Sequence, residues 1–91
     1  MAGKILIVDD VATNRIVLKV KLSGARYETV QAGTGQEALR LVTLELPDLV
    51  LLDVQLPDIS GIEVCRRLKS NPLTQNLPVI MVTAFPSPET R

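Results

Sequence analysis

Few residues of this chain can do chemistry, and most of those are acids. Asp9-Asp10 follows the run Ile-Leu-Ile-Val, Asp53 follows Leu49-Val50-Leu51-Leu52, and Thr83 follows Pro78-Val-Ile-Met-Val. The 91 residues hold no His and one Cys, which excludes zinc sites and Ser–His or Cys–His catalysis within them. Carboxylate, hydroxyl and lysine chemistry remains, with or without a hard metal ion. Each of these polar residues closes an apolar run. If the runs are parallel strands, their carboxyl ends share one edge of a sheet, where open α/β folds bind ligands. Three carboxylates gathered there repel one another and are tolerated chiefly around a cation. Oxygen-only ligation with room for water suits Mg²⁺, which leaves positions for phosphate oxygens. A carboxylate beside such an ion can attack a phosphoryl group and become an aspartyl phosphate. The Thr83 hydroxyl is placed to donate to a phosphoryl oxygen.

Taken singly, each residue has a plainer reading. An Asp-Asp pair after a strand is more often a solvated turn or a helix cap, Asp53 alone can be a turn residue, and Thr83 alone a β-branched strand residue. Cys65 reads as core packing. Asn14 reads as bonding locally near a helix start, and the Lys and Arg side chains of the first helix as a solvated face. Coincidence favours the acidic set: three acids and a hydroxyl, each at the end of its own apolar strand.

The elements that must position them follow from pattern. Lys4 to Val8 is a short strand. From Ala12 to Leu22 a helix carries Leu18 and Leu22 on one stripe, extended by Ala25, with Gly24 placed to end it in the left-handed conformation. Tyr27 to Ala32 alternates and reads as an edge strand. Thr34 and Glu37 have capping-box spacing before a helix that turns Ala38, Leu39 and Val42 inward, and Pro47 closes it. Leu49 to Asp53 is an uninterrupted apolar strand of the kind buried on both faces, the centre of a parallel sheet. Ser60 and Glu63 repeat the capping-box spacing before a helix with Val64, Cys65 and Leu68 inside, and Asn71-Pro72 ends it. Pro78 to Thr83 reads as another doubly buried strand. The alternation β-α-β-α-β-α-β predicts an α/β fold, a doubly wound parallel sheet with helices on both faces.

Residues 1–91 form one domain, with no internal repeat or linker. Ten basic and ten acidic residues cancel, which argues against nucleic acid, whose binders carry a basic excess. No apolar run approaches the roughly 20 residues of a membrane span, and one Cys suits a reducing cytoplasm. The final strand reads as an uncovered hydrophobic edge, an aggregation liability. It predicts protection by pairing, by swapping between copies or by a disordered tail, and a monodisperse monomer in light scattering contradicts that.

Together, Ile-Leu-Ile-Val-Asp9-Asp10, Leu-Leu-Asp53 with Pro57 and Gly61, and Pro78-Val-Ile-Met-Val-Thr83-Ala84 resemble the receiver domain of two-component response regulators. The resemblance implies the flavodoxin-like (CheY-like) fold with strand order 2-1-3-4. It implies that Asp53 takes a phosphoryl group from a sensor histidine kinase or histidine phosphotransfer protein. Mg²⁺ is then held by Asp10 and Asp53, by the backbone carbonyl of Gln55, and by Asp9 mostly through water. Thr83 follows the phosphoryl oxygen on switching, Ala84 leaves access, and Gln55 sits where the family tunes phosphoryl lifetime. The run Asp9-Asp10-Val-Ala-Thr-Asn14-Arg15 is closest to PleD-type diguanylate cyclase regulators and some hybrid kinases. By the same resemblance the fifth strand, last two helices, invariant lysine and switch aromatic belong beyond Arg91; neither Lys69 nor Phe85 takes their roles. The chain is then no enzyme beyond its own phosphorylation and dephosphorylation, and an output domain or effector, with dimerisation as one route, reads the switch.

Two other readings compete. A phosphorylation-independent interaction module of the same fold predicts no metal binding at millimolar Mg²⁺. A Mg²⁺-dependent phosphohydrolase with an aspartyl nucleophile usually carries a second acid just after it, where this chain has Val54-Gln55.

Overall fold

The computed structural model describes residues 3–82. They run β1 (Lys4–Val8), α1 (Ala12–Gly24), β2 (Glu28–Ala32), α2 (Gly35–Glu45), β3 (Leu49–Asp53), α3 (Gly61–Ser70) and β4 (Val79–Val82). All pairings are parallel and the order is β2-β1-β3-β4, as the resemblance implies. The β1-to-β2 connection crosses the sheet in the opposite direction to the other two. Right-handed crossovers therefore put α1 on one face and α2 with α3 on the other.

The two faces are unequally filled. Leu6, Val8, Val50 and Leu52 point to one side and close a core with Ala38, Val42, Val64 and Leu68 from α2 and α3. On the other pleat face Ile5 and Ile7 are buried, but Leu49 and Leu51 are only half-buried and α1 has no fully buried residue. So β3 is fully buried on one face only. β4 departs further from its apolar pattern. Ile80 is 51% exposed and Met81 37% exposed, because among the described residues β4 is the outer strand and pairs with β3 alone. An apolar run records the capacity to be buried, not the presence of a cover. Cys65 is half-buried, packed on the core while lining a shallow groove with Ile62, Arg66, Lys69 and Met81.

The helix ends are set by capping chemistry. The Thr34 side chain accepts from the Glu37 amide and the Ser60 side chain from the Glu63 amide, each at 3.1 Å. The end of α1 differs from expectation. Gly24 closes the last turn inside the helix, and Arg26 takes the left-handed conformation with φ 71°. The amides of Tyr27 and Arg26 return to the carbonyls of Leu22 and Ser23 at 3.0 and 2.9 Å, the paired bonds of a Schellman turn. That register puts the left-handed position two residues past the glycine. An L side chain there is strained, so Arg26→Gly is expected to raise stability by about 0.5–1 kcal/mol, read from a chemical denaturation midpoint at unchanged slope.

Two carboxylates, exposed Asp58 and half-buried Glu63, shape the acid limb of stability. Glu63 is held down from the usual 4.5 to about 2 by hydrogen bonds from Arg66 and then Arg67. Asp58 is held down from 3.8 to about 2, chiefly by the Gln36 amide and also by Gly35. Both are depressed in the folded state, so their contributions are present above the unfolded values and are lost as pH falls toward about 2. Melting temperatures followed down that window are expected to fall less steeply in an Asp58→Asn/Glu63→Gln variant than in the parent.

Candidate functional site

β1 and β3 are the two interior strands, and their outgoing connections leave in opposite directions across the sheet. The crevice beyond their carboxyl ends is a topological switch point, where doubly wound folds bind ligands. The register pairs Val8 with Leu52, so Asp9 and Asp53 come next on neighbouring strands, with Asp10 beginning the turn into α1. One carboxylate oxygen from each of Asp9, Asp10 and Asp53 lies within 4.8 Å of the others.

The three acids are not equivalent. Asp9 and Asp53 are buried, each 7% exposed, while Asp10 is open to solvent. Asp9 is bound on both oxygens: the Val11 amide donates to Oδ1 at 2.9 Å and the Asn14 side chain to Oδ2 at 3.3 Å. Its carbonyl accepts from Arg15 Nη1 at 2.6 Å, while Arg15 Nε donates to Gln31 on β2 at 3.1 Å. Asp53 Oδ1 accepts from the Gln55 amide at 3.3 Å. Burial pushes the Asp53 carboxyl above its usual 3.8, and the charges of Asp9 and Asp10 push the same way, against the Gln55 and Val54 amides. The ionised Asp53 is therefore a liability to the folded metal-free chain. Its contribution to stability is full below the unfolded value and is lost as pH rises through the folded one.

The donor set fits a hard divalent cation: oxygen ligands only, from three converging carboxylates, one of which carries the repulsion a cation would relieve. Gln55 is exposed two residues past Asp53. Thr83 and Ala84, expected beside the phosphoryl group, lie outside the described residues, as does Phe85.

Several residues support the acids in ways that their types alone did not give. Arg15 is half-buried and ties α1 to the ends of β1 and β2, so it is no part of a solvated face. Asn14 reaches back to the Asp9 carboxylate instead of bonding only at its helix start. Gly61 opens α3, and a Cβ there would overlap the Asp53 carbonyl oxygen and come within 3.0 Å of Val54 Cα. Its amide donates to the Val54 carbonyl at 2.7 Å, closing the loop that follows Asp53. A glycine eight residues past that acid, at a helix start, was the available signal.

Residues 5–91 match the response regulator receiver domain family. The response regulator PleD of Caulobacter vibrioides is 43% identical over 85 residues, 93% of this chain. The chain spans 19% of that protein's length. The crystal structure of the N-terminal domain of a response regulator receiver protein from Methanoculleus marisnigri superimposes with a TM-score of 0.90 at 37% identity, covering 98% of this chain and 73% of that one. Response regulator protein TrrA from Thermotoga maritima, solved in complex with Mg²⁺ and BeF, gives a TM-score of 0.84 at 36% identity over 90% of this chain and 70% of that one. This chain belongs to the response regulator receiver domain family. The match leaves no room within these residues for a separate catalytic domain, and no helix among those described is long and apolar enough to cross a membrane.

Proposed function

We propose that this chain is the phosphoacceptor module of a two-component system and that Asp53 takes the phosphoryl group. The supporting observation is the meeting of Asp9, Asp10 and Asp53 at the switch point between β1 and β3. The donor is the phosphohistidine of a sensor histidine kinase or histidine phosphotransfer protein. An Asp53 carboxylate oxygen attacks phosphorus, and the new P–O bond forms as the P–N bond breaks and the imidazole leaves with the electron pair. The amides of Gln55 and Val54 orient that carboxylate. Mg²⁺ supplies positive charge that offsets the carboxylates and the phosphoryl oxygens. Asp10, Asp53 and the Gln55 carbonyl would hold it, and Asp9, already bound on both oxygens, would reach it through water. The complex of TrrA with Mg²⁺ and BeF supports that choice of ion. Thr83 then meets the phosphoryl oxygen.

The output lies elsewhere in a longer regulator or on a partner, in the cytoplasm. The resemblance of the run Asp9–Arg15 to PleD-type diguanylate cyclase regulators makes a diguanylate cyclase the output we propose. The test is intact mass after incubation with Mg²⁺ and acetyl phosphate. A phosphate-sized gain that vanishes in Asp53→Asn is expected; no gain, or a gain that survives the substitution, refutes the assignment. Failure to bind Mg²⁺ at millimolar levels would favour the phosphorylation-independent module instead.

A further inference from the structure

The loop between Asp53 and α3 is tied to another part of the molecule by one carboxylate. Asp58 lies five residues beyond Asp53, and its two oxygens accept from the Gly35 and Gln36 amides, both at 2.8 Å. Those are the first two residues of α2, whose amides have no partner inside the helix. Thr34 takes the third. Gly35 has no side chain to keep the loop away: a Cβ there would overlap Ile59 and come within 2.9 Å of Val64. So Asp58 and Ile59 are seated on the start of α2, while Gly61 seats the far end of the same loop on Asp53. The segment carrying Asp53 and Gln55 is thereby pinned at both ends.

We infer that Asp58 is a positioning residue: by bridging to the Gly35 and Gln36 amides it holds the loop from Val54 to Ser60 in the conformation that presents Asp53 and Gln55 to the metal and the phosphoryl group. The inference rests on the phosphoacceptor reading for its consequence, though not for its geometry. It is charge that suits Asp58 to the task, since a carboxylate accepts two amides at once at the positive end of a helix. Its depressed pKa keeps it charged at any ordinary pH.

Thr34 provides the control, because its side chain caps the same helix by accepting from the Glu37 amide within it. Asp58→Ala and Thr34→Ala are both expected to lower the melting temperature. In the metal-free protein, the Gly61 and Gln55 amides are expected to exchange about tenfold faster in Asp58→Ala and at the wild-type rate in Thr34→Ala. Mg²⁺ affinity, measured by titration calorimetry, is expected to fall about tenfold in the first variant and to hold in the second. Asp58→Asn, which keeps one acceptor oxygen, falls between them, and it serves in the place of Asp58→Ala if that variant does not fold. Equal exchange in the two alanine variants makes Asp58 a plain helix cap and overturns the inference. If exchange responds as stated while the wild type binds no Mg²⁺, the positioning role stands and the phosphoacceptor reading falls.

Discussion

Gly61→Ala is expected to cost about 3 kcal/mol or more of folding stability. The added methyl meets backbone, not a side chain that can swing aside: the Asp53 carbonyl oxygen, the Asp53 carbonyl carbon at 2.9 Å and Val54 Cα at 3.0 Å. Relief requires moving α3 off the end of β3 or moving Asp53 itself. The first breaks the Gly61–Val54 hydrogen bond and loosens Val64 and Leu68 from the core. The second displaces the acid proposed to take the phosphoryl group. Domains of this size have only about 5–15 kcal/mol in hand, so the loss is a large share. Gly24→Ala is the matched control, since nothing lies within 4 Å of a Cβ there and the residue is helical. It is expected to gain about 0.5–1 kcal/mol. Urea denaturation of the two variants beside the parent checks both signs, and a Gly61→Ala protein as stable as wild type would mean the loop does not close on Asp53 as described.

Mg²⁺ is expected to reverse the order of stability of Asp53→Asn and the parent. Without metal, the substitution removes a buried charge facing Asp9 and Asp10. The variant then melts above the parent, by up to about 1 kcal/mol because the sheet edge is wet and the repulsion is partly screened. With free Mg²⁺ about 100-fold above its dissociation constant, the parent gains about 2.7 kcal/mol by mass action. The variant, lacking a central ligand, gains little, and the two melting curves change order. Curves that keep their order at every Mg²⁺ concentration would remove Asp53 from the metal site. The crossing needs no phosphodonor, so it tests metal ligation apart from phosphoryl transfer.

The sequence by itself determined the element order, the acids at the ends of the apolar runs, and two of the helix starts. These are local matters. An apolar run of four residues bounded by turn residues fits a strand with the capacity to be buried, and Thr34 and Ser60 cap helices through bonds three residues away. The acids were legible because each stands at or just past the end of its strand, so parallel pairing alone brings them to one edge.

Only the tertiary structure decided which faces are covered and what supports the acids. Ile80 and Met81 are apolar in sequence yet exposed, because burial depends on a neighbour that periodicity does not name. The left-handed residue after α1 is Arg26 and not Gly24, since the hydrogen-bond register of the last turn overrode residue preference. Asn14, Arg15 and Asp58 bond across 5, 16 and 22–23 residues of chain. Such reach is set by how α1 and α2 lie over the strand ends, a consequence of packing that no local spacing encodes.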